Sequence, residues 1–191
     1  MFRNIRRSRQ ALSAEDCAAV LHRGTSGVLA LSGDDGYPYA VPLSYVYDDR
    51  RERLYFHSAR SGHKLDAIRR NAKASFCVVD QDLVVPEEYT SHFRSVIAFG
   101  TIRILENTDE KRAAIEQLAI KYAPEDTKEH RQAAIDREER ALCMLEMQIV
   151  HLTGKEAVEL RQTGTEAAKE GPASSSETDR ESDGLGSVQT L

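Results

Sequence analysis

The sequence predicts a mainly β domain of the α+β class, in which five or six antiparallel strands are interrupted by helices and form a small closed or partly closed barrel. Short apolar runs of strand length recur along the first 152 residues. Turn residues separate most of these runs, and segments with apolar residues at helical spacing lie between some of them. No apolar run approaches the roughly 20 residues that would cross a bilayer.

The composition is that of an ordinary globular protein. The 191 residues suffice for one domain with a substantial core. The formal net charge of -5 argues against nucleic acid as a general partner. The basic N-terminus is not followed by an apolar stretch of the signal-peptide type, so we expect a cytoplasmic protein without a membrane partner. The spacing of Cys17, Cys77 and Cys143 suits neither a disulfide framework nor a zinc site, so no metal is expected.

A helix and a three-stranded antiparallel meander are predicted for the first sixty residues. Ser13 is placed to cap a helix over residues 14–22, and Gly24 ends it. The strands of the meander are predicted at residues 26–31, 37–47 and 54–57, with turns at residues 33–36 and 48–51.

The second strand of the meander carries two prolines, Pro38 and Pro42. A proline cannot donate a hydrogen bond to a neighbouring strand. Two of them in one strand therefore predict an edge, a bulge or a place where a ligand replaces the neighbour.

The clearest functional signal lies where the third strand turns into a short helix at residues 62–71, with Ser61 placed to cap it. The first turn holds His63 and Lys64, although a helix N-terminus favours acidic side chains. An anion resting on the exposed amides would make these charges favourable, with Ser58 and Ser61 as further donors. The segment therefore predicts a phosphate site. The alternative is an ordinary solvated surface lysine.

Three further strands and two helices are predicted after residue 71. Residues 80–91 are expected to form an irregular, acidic connection. The strands are predicted at residues 74–79, 93–105 and 141–152, and the helices at residues 109–124 and 128–139. From about Gln162 the chain is rich in Glu, Ser, Gly and Thr, so we assign residues 1–158 to the domain and residues 159–191 to a disordered tail.

Four groups of residues, taken in order, resemble a known family. They are Tyr-Pro-Tyr-Ala-Val-Pro-Leu at 37–43, Tyr-Phe-His-Ser-Ala at 55–59, Gly-His-Lys-Leu at 62–65 with Ile-Arg-Arg-Asn at 68–71, and Arg-Ser-Val-Ile-Ala-Phe-Gly at 94–100. The chain resembles the pyridoxamine 5′-phosphate oxidase-like family and, more narrowly, the nitroimidazole-resistance (Nim) branch of the FMN-binding split barrels. The resemblance covers about residues 8–155.

The resemblance implies a six-stranded antiparallel split β-barrel of the FMN-binding type. It implies a homodimer with two FMN sites in clefts at the dimer interface. Ser58, His63 and Lys64 would hold the flavin phosphate. Many oxidase relatives carry Arg where this chain has His63, and a histidine is only partly charged at neutral pH, so a weaker grip on the phosphate is expected.

The resemblance also assigns residues to the flavin ring. The isoalloxazine would lie along the second strand and take backbone hydrogen bonds there. His57 would lie close to the ring as the candidate catalytic residue, donating a proton or orienting a substrate. The residues expected to bind the cofactor, besides those at the phosphate, are Val41, Pro42, Leu43 and His57, with Arg94 and Ser95 reaching across from the second subunit.

The function implied is that of an FMN-dependent oxidoreductase acting on a small molecule, such as a nitroaromatic or a quinone. An alternative is a split barrel that holds flavin or haem without turnover, because histidines at 57, 63, 92 and 151 leave a haem ligand open. A deazaflavin would need more basic surface. A true pyridoxamine phosphate oxidase would need a second phosphate site, and the sequence shows no second ordered basic cluster.

Overall fold

The computed structural model describes residues 2–161 and confirms the predicted class. Its strands, which all pair antiparallel, are β1 (Ser26–Ser32), β2 (Pro38–Ser44), β3 (Val46–Asp48), β4 (Arg53–Ala59), β5 (Lys73–Val85), β6 (Thr90–Ile104) and β7 (Leu142–Glu156). The α-helices are α1 (Ala14–Arg23), α2 (His63–Arg70), α3 (Thr108–Tyr122) and α4 (Lys128–Glu138). Within residues 2–161, no helix combines the length and the apolarity that a bilayer span requires.

The sheet closes on itself with a seam between two of its strands. The strand order is β2-β1-β5-β6-β7-β4-β3, so β2 and β3 lie at opposite ends of the order although they are consecutive in the chain. The strand predicted over residues 37–47 is therefore two strands that separate at Tyr45, which gives seven strands where six were predicted. Cα atoms of β2 and β4 come within 8 Å of each other, but no ladder joins these two strands in the described part of the chain.

Tyr45 occupies the corner between β2 and β3. Its side chain is fully buried, its hydroxyl donates to the Leu21 carbonyl (2.9 Å), and its ring lies edge-on to Phe76 with 4.8 Å between centroids. The Tyr45 backbone N–H donates to the Tyr122 hydroxyl (3.0 Å) instead of to a strand. This bond from α3 replaces the ladder bond at the corner, and sequence periodicity within residues 37–47 carries no sign of it.

Because of Lys121, the free energy of unfolding is expected to gain a contribution as the pH rises into the alkaline range. Its Nζ donates to the Gly24 carbonyl (2.5 Å) and lies 4.1 Å above the centre of the Tyr45 ring, where burial lowers its pKa from 10.5 to about 8. Between these two values the unfolded chain binds the proton that the folded chain has lost. The free energy of unfolding therefore gains a contribution as pH rises from 8 to 10.5.

The measurement compares urea unfolding of the wild type and Lys121→Met at intervals from pH 7 to pH 10.5. The comparison is needed because burial, with Asp16, raises the pKa of Cys17 to about 11, which gives a slope of opposite sign in both proteins. Lys121→Met should show the less positive slope, whereas Lys128→Met, at an exposed position on α4, should match the wild type. Equal slopes for Lys121→Met and the wild type would contradict the prediction.

Helix α1 begins and ends as predicted. The Ser13 hydroxyl accepts a hydrogen bond from the Asp16 N–H (3.0 Å), and Gly24 is the C-cap. Cys17, Val20 and Leu21 form its buried face against the sheet. The apolar face of α1 therefore points into the core.

Ser13→Ala is expected to lower the free energy of unfolding by about 1 kcal/mol, because it leaves a helix N-terminal amide without its acceptor. Chemical denaturation followed by circular dichroism measures the change. Ser61→Ala is the control, since Ser61 is exposed and caps no helix. Equal losses in the two variants, measured without added flavin, would show that the Ser13 bond contributes nothing specific.

The connection predicted to be irregular over residues 80–91 is instead a long β-hairpin, so this prediction was wrong. β5 and β6 pair as far as Val85 and Thr90, around a turn at Pro86–Glu88 that ends with Tyr89 at φ 50°. Cross-strand pairing satisfies the backbone, and the side chains of Asp82, Glu87 and Glu88 are exposed. A bulge between Val79 and Gln81 accounts for the one extra residue, Asp80.

The barrel ends in a short helical turn at residues 158–161. Arg161 Nε donates to Glu156 (3.0 Å), which ties this turn back to the last strand. The remainder of the predicted disordered tail, residues 162–191, lies outside the described residues.

Candidate functional site

The predicted site residues of the first half of the chain gather at the seam between β2 and β4. β2 pairs with β1 along one edge, and its other edge has no strand partner in the described structure. β4 pairs with β3 only as far as Tyr55, so residues 56–59 also have one unpaired edge. The edge position predicted from Pro38 and Pro42 is confirmed. A flat ligand can hydrogen-bond to this backbone without displacing a strand.

The side chains of β2 alternate between the core and solvent. Val41 and Leu43 are half-buried and pack against the main core, whereas Pro42 is exposed. Val41 and Leu43 lie opposite Leu29 and Gly27 of β1. The strand is thus anchored by alternate side chains while its outer backbone edge stays open.

The end of β4 brings His57 and Ser58 to the same seam. His57 is exposed, whereas Ser58 is only 8% exposed and lies opposite Cys143 of β7. The two side chains point to opposite faces of the strand, so His57 faces solvent whereas Ser58 faces the same side as Cys143. Ser58 thus lies on the inner side of the strand, one residue before β4 ends and the turn into α2 begins.

Helix α2 starts without a side-chain cap, so the prediction that Ser61 caps it was wrong. The N-cap is Gly62, whose φ of 125° suits glycine, and its carbonyl accepts from the Leu65 and Asp66 N–H groups. The first N–H groups of α2 thus have no side-chain acceptor from the cap position. The start of α2 therefore offers N–H groups and a positive dipole end to an anion.

Lys64 is a half-buried cation at this helix start. Burial lowers the pKa of its ammonium group. Among residues 2–161 no carboxylate lies within 4 Å of it. A cation that is partly desolvated and has no counter-ion gains from an anionic ligand.

His63, in contrast, is already engaged by the protein. Its Nε2 lies 3.3 Å from a carboxylate oxygen of Asp34, and its ring stacks on Tyr39 with 4.1 Å between centroids. Arg70 also pairs with Asp34 (2.5 Å), and this bond lowers the Asp34 pKa, with a smaller contribution from the charge of His63. Asp34 therefore competes with any phosphate for His63. Sequence reasoning treated Asp34 only as a turn residue, and nothing local reveals that this turn folds over α2.

The predicted residues Arg94 and Ser95 lie elsewhere in the protomer. They pair with Glu156 and Lys155 of β7. This is thirteen residues along the strand from Cys143 beside Ser58, or roughly 40 Å of extended chain. One protomer thus does not bring them to the seam, and their approach from a second subunit stays a prediction.

Arg94 already has partners of its own. It donates to Glu156 (3.0 Å) and lies 3.4 Å from Asp80, which also binds Arg23 (2.6 Å). Burial alone would raise the Asp80 pKa, but the bonds and charges of Arg23 and Arg94 outweigh it and lower that pKa. This network ties the hairpin of β5 and β6 to α1 and β7, which gives Arg94 a structural role in the protomer.

Comparison with known proteins decides the family. Residues 13–156, most of the domain, match the family model described as pyridoxamine 5′-phosphate oxidase. The chain belongs to this family. The resemblance found in the sequence is therefore confirmed. No curated protein was found to match this family member.

Solved structures similar to this family member confirm the split-barrel fold. A conserved hypothetical protein of Mycobacterium tuberculosis has a TM-score of 0.70 at 18% identity, over 92% of this chain and 98% of that one. A candidate 5-nitroimidazole antibiotic resistance protein of Bacteroides thetaiotaomicron has a TM-score of 0.63 at 19% identity, over 76% and 86%. A FAD-binding protein of Mesorhizobium loti has a TM-score of 0.54 at 25% identity, over 78% and 97%.

Proposed function

We propose that this protein binds FMN at the seam and is a flavin-dependent oxidoreductase that reduces a small electrophile, such as a nitroaromatic or a quinone. The observation that carries the proposal is Lys64, a half-buried cation without a carboxylate partner in the described structure. It stands at an uncapped helix start beside an open strand edge. The FAD-binding relative from Mesorhizobium loti supports a flavin as the ligand.

Separate groups of residues bind the phosphate end and the ring end of the cofactor. Lys64 and Ser58, with the first N–H groups of α2, hold the phosphate. The open edge of β2 at Val41, Pro42 and Leu43 holds the ring through its backbone. The flavin, when bound, supplies the electron transfer. His57 is exposed at the seam, where it orients the substrate or donates a proton to it.

A homodimer with the cofactor at the interface is part of the proposal. The outer face of the sheet carries exposed apolar side chains, including Val28 (41% exposed), Val79 (64%) and Val150 (63%). Apolar patches of this kind mark interaction surfaces. Ser95 lies on the same outward side of β6 as Ile97, opposite the buried Val96, so a partner packed on this face would meet it. A cytoplasmic location stays a prediction.

The test is the absorption spectrum of the purified protein, followed by titration with FMN. Bands in the near ultraviolet and the blue, or quenching of FMN fluorescence with one site per chain, are expected. The loaded protein should then oxidise a reduced nicotinamide in the presence of a nitroaromatic or a quinone. A Soret band without flavin bands would favour the haem-binding alternative. A colourless protein that ignores added FMN would overturn the proposal.

A further inference from the structure

The hairpin of β5 and β6 extends beyond the rest of the sheet. Its tip, residues 82–92, has no strand partner outside the hairpin in the described structure. The tip contains no lysine or arginine, and three of its carboxylates are exposed, those of Asp82, Glu87 and Glu88. Glu88 lies 3.5 Å from His92, whereas within the described chain no cation lies within 4 Å of the Asp82 or Glu87 carboxylate. The hairpin tip therefore presents uncompensated negative charge.

The hairpin tip also exposes large apolar side chains. Leu83, Val84 and Tyr89 are 54%, 65% and 98% exposed. Tyr89 has a φ of 50°, in the left-handed region that bulky residues seldom adopt. Backbone outliers of this kind concentrate in functional segments. Because tyrosine is among the residues that most often anchor protein interfaces, the hairpin tip is suited to insertion into another protein surface.

A basic pocket lies at the other end of β6. It has a volume of about 310 Å³ and is bounded by α2, the start of β7 and the segment after β6. Its lining includes three cations and one carboxylate, Arg60, Arg69, Lys111 and Glu106. Leu65, Ile104 and Leu142 add apolar surface beside the cations. The basic pocket thus complements the hairpin tip in charge and offers apolar contacts to its exposed side chains.

Two of the pocket cations are held without being neutralised. Arg60 donates to the Arg140 carbonyl (3.0 Å), and Lys111 donates to the Glu139 carbonyl (2.7 Å). These neutral acceptors fix the side chains but leave their charges for an anion. Arg69, by comparison, already pairs with a carboxylate, Asp66 (3.1 Å). Arg60 and Lys111 are consequently the cations most available to a carboxylate from outside the protomer.

The hairpin tip and the basic pocket lie too far apart to meet within one protomer. They stand at opposite ends of β6, which spans Thr90–Ile104, or at most roughly 45 Å of extended chain. A two-fold axis near Ile97, the midpoint of the strand, would place the tip of each protomer at the pocket of the other. Ile97 lies on the outward side of β6, on the face through which the proposed homodimer packs. The two complementary surfaces are thus spaced as one isologous interface requires.

We propose that in the homodimer the hairpin tip of each subunit inserts into the basic pocket of the other, with Tyr89 against the apolar wall and Glu87 paired with Lys111. The inference rests on the homodimer of the proposed function. The volume of the pocket is at the lower end for ligand pockets, which suits inserted side chains more than a large separate ligand. Because Leu65 of the pocket belongs to α2, each subunit then packs against the helix that holds the phosphate in the other.

The first experiment measures the dissociation constant of the flavin-free, full-length homodimer by analytical ultracentrifugation. Glu87→Lys and Lys111→Glu should each weaken the dimer at least about tenfold, since each places like charges together. The double variant exchanges the two charges and should return to within about threefold of the wild type. Glu125→Lys makes the same charge change at an exposed position after α3 and should match the wild type.

A second variant separates the interface from the fold. Tyr89→Gly removes the ring, and glycine adopts a φ of 50° without the penalty that tyrosine has there. The variant should therefore weaken the dimer about tenfold, while its circular dichroism spectrum stays that of the wild type. A purely local role for Tyr89 in the turn would leave the dissociation constant unchanged.

The outcomes distinguish this inference from the proposals on which it rests. A dimer whose dissociation constant is the same in all these variants overturns the inference and leaves the proposed homodimer intact. Losses in both single variants without recovery in the double variant overturn the pairing of Glu87 with Lys111. Binding of citrate to the wild-type dimer that Lys111→Met abolishes would show an unfilled pocket and also overturn the inference. A chain that stays monomeric even with FMN bound would refute the proposed homodimer itself, and the inference with it.

Discussion

Replacing Phe76 by alanine is expected to lower the free energy of unfolding by about 3–5 kcal/mol. Phe76 is fully buried in β5, and its ring lies edge-on to Phe56 and Tyr45 at 5.0 and 4.8 Å between centroids. It also fills the space beside Gly27, where an added Cβ would meet the Phe76 ring at 2.5 Å. Truncation opens a cavity between the sheet and the Tyr45 corner. The rigid strands around it can collapse into that cavity only in part.

Chemical denaturation followed by circular dichroism measures the loss. Phe76→Leu should cost clearly less, since it keeps most of the buried volume. Phe99→Ala is the matched control, because Phe99 belongs to β6 but is only half-buried on the outer face. A Phe76→Ala loss as small as that of Phe99→Ala would mean that the aromatic cluster is not the centre of the core.

Local patterns in the sequence were sufficient to predict most helices and strands of the fold. The Ser13 cap and the end of α1 at Gly24 depend on neighbours in the chain, and the structure confirms them. The break at Tyr45 depends on Tyr122, 77 residues away, so no window of the sequence contains its cause. The sequence analysis missed the pairing of residues 80–85 in the hairpin because their acidic side chains are unusual in a strand. The backbone of these residues nevertheless hydrogen-bonds to the partner strand.

For the candidate site, too, local patterns in the sequence predicted one part, and contacts between distant segments determine the rest. The misplaced charge of Lys64 at a helix start is a local signal, and it led to the seam. His63 pairs with Asp34, which lies in a turn 29 residues earlier in the chain. Because these residues are far apart in the sequence, His63 was assigned to the phosphate and Asp34 was not recognised as a competitor for it. Arg60, Arg69 and Lys111 line one pocket with Cys143 although they come from separate segments of the chain. A charge run in the sequence shows only those clusters that are also contiguous in the chain.

Lys64→Glu is expected to weaken FMN binding by at least about 100-fold, or roughly 2.7 kcal/mol. The change removes the one cation at the seam that has no carboxylate partner in the described structure and places a like charge beside the phosphate. Because the position is half-buried, solvent screens the repulsion less than it would at an exposed site. Fluorescence titration with FMN gives the affinity, and the thermal melting curve of the flavin-free protein shows whether the variant folds.

Two further variants distinguish the loss of the Lys64 attraction from the repulsion that the new carboxylate adds. Lys64→Met removes only the attraction and should weaken FMN by about tenfold, the value of one charge-assisted contact. Lys128→Glu makes the same charge change at an exposed helix position and should leave the affinity within about twofold. Riboflavin, which lacks the phosphate, should bind the wild type and Lys64→Glu equally well, because Lys64 acts on the phosphate alone. If riboflavin lost as much affinity as FMN, the substitution would be distorting the ring site along β2, and the phosphate would have to be placed elsewhere than at the start of α2.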